Sequence, residues 1–143
     1  LRQLHPQRRP GRHQSRFEDA PGGEVAAVAR LVGEVLRRMD GALERIATAR
    51  GLMSHGTGAE KAQLLHRAVA IIDELRNSLN FKAGGQLAGN LDSLYEYMCT
   101  RIMQANASNK PEWLDEVSRL LGEIRTAWLQ LPAQGRAQVS GAP

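Results

Sequence analysis

Residues 84–105 read GGQLAGNLDSLYEYMCTRIMQA. Leu87, Leu91, Leu94, Met98, Ile102 and Ala105 recur three or four positions apart, with Tyr95 beside Leu94. A helix turns about 100° per residue, so this spacing gathers the side chains on one face. Three other stretches repeat the pattern. Val25, Val28, Val32, Val35, Leu36, Met39, Leu43, Ile46 and Met53 form one stripe, which Ala42 and Ala49 widen. Leu64, Leu65, Ala68, Ile71, Ile72, Leu75 and Leu79 form a second. Trp113, Leu114, Val117, Leu120, Leu121, Ile124, Trp128 and Leu131 form the last. No stretch sustains the apolar–polar alternation of a strand.

The punctuation divides the chain in the same way. Residues 1–23 are dense in proline and glycine and read as a flexible, basic N-terminal arm. The first helix is expected to start at Glu24 and to end around Gly51 and Ser54–Gly56. Thr57 and Glu60 read as a capping box, the threonine oxygen accepting a free N–H and the glutamate reaching back. Asn80–Gly85 interrupts the second stripe, with Gly84 and Gly85 available for the turn. Asn109 with Glu112 signals another N-terminus, and Pro111 suits a first turn, where its missing N–H costs nothing. Pro132 stops the pattern, and residues 132–143 read as a flexible tail. Four amphipathic segments on short connections predict an all-α antiparallel four-helix bundle over residues 24–131, each helix roughly 30 Å long.

The chain of 143 residues has a formal net charge of +4. Arg2, Arg8, Arg9, Arg12 and Arg16 stand in a stretch with no acid, leaving 14 basic against 15 acidic residues beyond it. The expected bundle is thus near neutral and only the arm is basic. No aromatic interleaves those arginines, so no single-strand stacking platform is indicated; the arm reads as a solvated tail and nucleic acid is not expected as a partner, with binding of nucleic acid through residues 1–16 as a third reading. No run approaches the roughly 18 apolar residues that span a bilayer, and the first stretch lacks the apolar middle of a secretory signal. Cytoplasmic localisation without membrane insertion is expected. The single Cys99 reads as a small inert thiol.

Reactive clusters are not apparent. The sequence has no glycine-rich phosphate loop, no His-Glu-x-x-His and no paired Glu-x-x-His of the di-iron bundles. Neither cofactor nor metal is expected, and the chain is not read as an enzyme. His5 and His13 lie in the arm and His55 beside Gly56, none with a ligand-spaced partner. His66, on the expected solvent face of the second helix, defines the alternative reading, a histidine phosphotransfer module. The Arg67-Ala68-Val69-Ala70 that follows lacks the Lys-Gly pair usual beside such a histidine.

A binding surface has more support. Around the third helix, Asn90, Tyr97 and Arg101 cluster roughly 100° from the core stripe, with Leu94 at the shared edge. Tyr and Arg are over-represented at binding hot spots. On the second helix Val69 lies off the core stripe, next to Ile72, where the two could line an interhelical groove. The first helix carries a stripe wider than one seam needs, which fits either full burial or a groove that another helix fills. These residues, Val69, Ile72, Asn90, Leu94, Tyr97 and Arg101, are the expected partner-binding set.

Gly84-Gly85-Gln86-Leu87-Ala88-Gly89-Asn90-Leu91 followed by Leu94-Tyr95-Glu96-Tyr97-Met98 closely resembles the third-helix signature of the flagellar secretion chaperones, the FliS family. Leu114–Val117, Leu120-Leu121 and Ile124–Trp128 are similar to its fourth helix, and Asp40-Gly41-Ala42-Leu43 to its first-helix motif. The resemblance spans about residues 39–130. Where the family carries a tyrosine-rich segment before the first helix, this chain has Arg12-His13-Gln14-Ser15-Arg16-Phe17; Gln86 and Gly89 stand where an acid and a bulkier residue are common. The resemblance implies a cytoplasmic chaperone that binds the C-terminal segment of flagellin, prevents its premature polymerisation and presents it to the flagellar type III export gate without a cofactor. Whether the free chain forms a homodimer is left open.

Overall fold

The four apolar stripes meet along one seam. Met39 and Ile46, Leu65 and Ile72, Met98 and Ile102, and Leu114 and Leu121 are all at most 1% exposed. Ala42, Ala49, Ala68 and Ala105 are wholly buried among them, so the backbones approach closely. The computed structural model describes residues 21–56 and 58–130. They form α1 (Pro21–His55), α2 (Gly58–Asn77), α3 (Phe81–Ser108) and α4 (Pro111–Gln130). Each helix packs on the next in sequence, and α4 closes on α1. This is the expected all-α four-helix bundle. The wide stripe of α1 is used by two neighbours, with Val32, Leu36, Leu43 and Met53 packed around its buried centre.

Every seam carries an arginine–carboxylate pair. Arg38 reaches Glu74 at 3.5 Å between α1 and α2, and Arg76 forks onto Asp92 between α2 and α3. Arg101 meets Glu116 at 2.8 Å between α3 and α4. Arg125–Asp40 at 2.8 Å and Arg50–Asp115 tie α4 to α1. The numbers in these last two pairs run in opposite directions, as an antiparallel pair requires.

The helix ends depart from the expected punctuation in three places. α1 begins at Pro21, three residues before Glu24, because proline fits a first turn, whose N–H groups have no partner inside the helix. It runs through Gly51 and closes where the Gly56 N–H donates to the Leu52 carbonyl at 2.7 Å. The expected Thr57–Glu60 capping box depends on Thr57, which lies outside the described residues, as do residues 1–20 of the arm and all of residues 131–143. α3 begins at Phe81 rather than after the glycine pair: the Asn80 side chain accepts the Ala83 N–H at 3.0 Å, and a helical turn follows. The break falls inside the helix, where Gly85 adopts φ 56° and ψ −131° and redirects the chain.

Asn109 ends α3 instead of starting α4. It adopts a left-handed φ of 52°, and its backbone N–H donates to the Ala105 carbonyl, a conformation asparagine tolerates. Its side chain completes a knot at this end of the bundle. The nearly buried Lys61 ammonium donates to Asn109 Oδ1 at 3.1 Å and to the Asn106 carbonyl at 3.2 Å. Asn109 Nδ2 in turn donates to the Met53 carbonyl at 3.4 Å. A cation thus sits on the carbonyl end of α3, where the helix dipole favours it, and three helices are joined.

Two backbone and burial features have measurable consequences. A side chain at Gly85 would meet no neighbour, but its positive φ disfavours any L-residue. Gly85→Ala should lower unfolding stability by about 1–3 kcal/mol, and Gly84→Ala by distinctly less, in urea denaturation. Burial pushes the Tyr95 phenol up to about 12. Burial, and then the nearby Asp73 carboxylate, pushes the half-buried Cys99 thiol up to about 12. In the unfolded chain these groups titrate near 9.0 for the thiol and 10.0 for the phenol. The folded state therefore holds both protons more tightly, and its stability falls as pH rises from about 9 towards 12. Urea midpoints measured between pH 8 and pH 11 should show this loss, and Cys99→Ala should remove its earlier part.

Candidate functional site

α3 has two flanks beside its core stripe. The flank facing α2 carries Asp92, paired with Arg76, and Cys99, whose Sγ lies 3.8 Å from the Val69 carbonyl and 3.7 Å from Asp73 Oδ1. The flank facing α4 is different. There Leu87, Leu91 and Leu94 stand opposite Leu120, Ile124, Ala127 and Trp128 across a mostly apolar groove of about 280 Å³. Leu87 is 43% exposed and Leu94 37% exposed. The sequence spacing put Leu87 in the core stripe and Leu94 at its edge; both fall at the α4-side edge of the stripe, whose centre is occupied by Ala88, Tyr95, Met98 and Ile102. Phe81, at the start of α3, and Leu129, near the end of α4, are also exposed.

One end of this seam is polar. Tyr97 Oη donates to Glu116 Oε2 at 2.8 Å, and Arg101 Nε donates to Glu116 Oε1 at 2.8 Å. The Arg101 guanidinium lies 4.3 Å from the centre of the Trp113 ring, a cation–π contact, and also reaches Gln104 Oε1 at 3.3 Å. The Arg101 hydrogen bond, and then that from Tyr97, hold Glu116 below the usual carboxylate range. The bond to Glu116 in turn raises the Tyr97 phenol. Glu116 thereby fixes the orientation of an aromatic ring that remains 42% exposed. A fixed, exposed tyrosine beside an apolar groove is a surface suited to an amphipathic helix, whose apolar side fills the groove while the rim supplies hydrogen bonds.

The expected partner-binding residues divide. Asn90, exposed, joins Leu94, Tyr97 and Arg101 on the α4-facing flank of α3. Val69 is partly buried in the α2–α3 seam, on the opposite flank. Ile72 is 0% exposed and belongs to the core, so it offers no surface; its position in the α2 stripe beside Leu65, Ala68 and Leu75 accounts for this. The α4 residues Trp113, Glu116, Leu120 and Ile124 complete the site and were missed as a surface. Their signal was the width of the α4 stripe, which holds a core row (Leu114, Val117, Leu121, Trp128) and a neighbouring row that includes Leu120 and Ile124.

His66 is exposed on α2, as expected, with Nδ1 2.8 Å from the Ala62 carbonyl of its own helix. Among the described residues no three His, Cys, Asp or Glu side chains form a metal-holding group. Among the same residues no helix is long and apolar enough to cross a membrane.

The sequence pattern of the family described as "Flagellar protein FliS" matches residues 27–135. The chain is 51% identical over 90 residues to the "Flagellar secretion chaperone FliSB" of Pseudomonas aeruginosa, covering 63% of this chain and 71% of that protein. It is 41% identical over 96 residues to the "Flagellar secretion chaperone FliS" of Vibrio cholerae, covering 67% of this chain and 71% of the relative. It is 37% identical over 102 residues to the protein of that name in Salmonella typhimurium, covering 71% and 76%.

The clamp on Glu116 has a pH signature. A carboxyl whose folded value is lowered stabilises the fold above its ordinary value near 4.5, and that contribution is lost as pH falls through the lowered value. NMR titration of the Glu116 side-chain carbon should place its midpoint below 4.5. Arg101→Gln should move that midpoint upward more than Tyr97→Phe, since the arginine bond is the larger cause.

Proposed function

Since the chain belongs to the FliS family of flagellar secretion chaperones, we propose that it binds the C-terminal segment of flagellin in the cytoplasm. In this reading it prevents premature polymerisation of flagellin and delivers it to the flagellar type III export apparatus. The observation that carries the reading is the α3–α4 groove, with exposed Leu87 and Leu94 on one wall and Leu120 and Ile124 on the other. Monomeric proteins rarely leave contiguous apolar surface uncovered without a use for it. A disordered client segment loses chain entropy on binding and needs a long apolar contact to offset that loss. The groove offers such a contact, and the fixed Tyr97 and Arg101 at its end offer register. A client helix held there is withheld from helix packing between flagellin monomers, so chaperoning follows from competition for one surface. The relatives are named as chaperones, and a binding role of this kind calls for no catalytic group.

Titration calorimetry with the C-terminal segment of flagellin from the same genome tests this directly. A one-to-one complex with a negative heat-capacity change is expected. Leu94→Asp and Tyr97→Ala should each weaken it by roughly tenfold or more, with helicity preserved. Unchanged affinity in both variants would remove the α3–α4 groove from the binding site.

A further inference from the structure

The opposite side of the bundle, the α1–α2 edge, carries a second built surface. On α1 the residues Gly33, Arg37, Gly41 and Arg45 follow one another every fourth position and so lie along one face. Each arginine folds back over the preceding glycine. A Cβ at Gly33 would stand 3.3 Å from Arg37 Nη1, and one at Gly41 would stand 3.2 Å from Arg45 Nη1 and 3.7 Å from Ile71 Cδ1. Arg45 Nη1 donates to the Gly41 carbonyl at 3.0 Å. Glycine is unfavourable inside a helix relative to alanine, yet here it occurs twice, each time where an alanine methyl would crowd a guanidinium. Arg37, Arg38, Gly41 and Arg45, with Glu34 and an Ile71 floor, line a cavity of about 290 Å³.

The charges in this cavity are unbalanced. Arg38 has two acids, Glu34 at 3.9 Å and Glu74 at 3.5 Å. Among the described residues neither Arg37 nor Arg45 has a carboxylate within ion-pair distance. The arginines that tie helix to helix, Arg38, Arg50, Arg76, Arg101 and Arg125, all have one. Two guanidinium groups eight residues apart stand roughly 12 Å apart along the helix, with an apolar floor beside them. Guanidinium forks match carboxylates in geometry as well as charge.

We propose that the α1–α2 edge is a second docking site, distinct from the α3–α4 groove, and that it takes an acidic helical segment of a partner polypeptide. Carboxylates about two turns apart on that segment would pair with Arg37 and Arg45, and an aliphatic side chain between them would rest on Ile71. The site is independent of what fills the α3–α4 groove, so two polypeptides can be held on opposite sides of the bundle at once.

The test is NMR and fluorescence titration of the full chain at low salt with a labelled alanine–glutamine helical peptide carrying two glutamates about two turns apart. The same peptide with both glutamates replaced by glutamine, and inorganic phosphate, serve as comparison probes. The glutamate peptide is expected to shift the amides of Arg37, Gly41 and Arg45. Its affinity should fall roughly tenfold in Arg37→Gln/Arg45→Gln, fall in Gly41→Ala, and stay unchanged in Arg67→Gln, an exposed arginine elsewhere on α2. Circular dichroism would confirm that each variant folds. Equal binding of the two peptides, shifts located elsewhere, or equal weakening by Arg67→Gln would overturn the proposal, as would phosphate giving the shifts while the glutamate peptide does not.

Discussion

The burial of one shared apolar seam is the constraint on which everything else in this bundle rests. Its members mix Met39, Leu65, Leu75, Met98, Leu114 and Leu121 with the β-branched Val35, Ile46, Ile72, Ile102 and Val117, and with buried alanines that let backbones come close. Such a core is dense because small and large residues alternate between facing helices. The seam fixes how each helix is rotated, and that rotation fixes what remains outside. Once Tyr95 is turned into the core of α3, Tyr97, two residues on, stands about 160° away from it round the axis, towards solvent and α4. The exposed aromatic at the candidate site is therefore a geometric by-product of burying its neighbour two residues earlier.

The ion pairs have a different role. They sit at the bundle surface, partly or largely exposed, where such pairs contribute little to stability. What they supply is discrimination. Sliding any helix by one turn would move its arginines about 5.4 Å away from their carboxylates while leaving the apolar contacts nearly as good. All six inter-helix ion pairs among the described residues use arginine, whose planar fork rewards one geometry. Lys61 is the exception and is used differently, as a compact cation placed on helix-end carbonyls and on Asn109 rather than on a carboxylate.

Much of the architecture was legible from the 3.6-residue period, because four stripes that long leave few alternatives to a bundle. The ends were less so. Asn109 reads equally well as the start of one helix or the stop of another, and only the left-handed backbone and the buried Lys61 beneath it select the stop. Gly84-Gly85 marks a real break, but the cap supplied by Asn80 puts a helical turn ahead of it. At the candidate site, Asn90, Leu94, Tyr97 and Arg101 share one flank because all four lie on one helix. Val69 sits in the α2–α3 seam and Ile72 in the core, because rotation of one helix relative to another is a tertiary quantity that a single helix's pattern does not contain. The groove itself was hidden for the same reason: Leu87 looks like core until the position of α4 is known.

The ring order has a kinetic side. α1–α2, α2–α3 and α3–α4 contacts join segments that are neighbours in sequence, and low contact order of this kind favours fast assembly. The α1–α4 edge is the exception: Asp40 and Arg125 are 85 residues apart, and Arg50 and Asp115 are 65 apart. Closing so long a loop costs entropy that only the finished seam returns, so the α1–α4 edge is the natural latecomer. The groove lies on the α3–α4 edge, between helices adjacent in sequence, and its walls can meet before the ring shuts. What the last closure supplies is rigidity: by seating α4 on α1 it fixes the rotation that turns Leu120 and Ile124 towards α3.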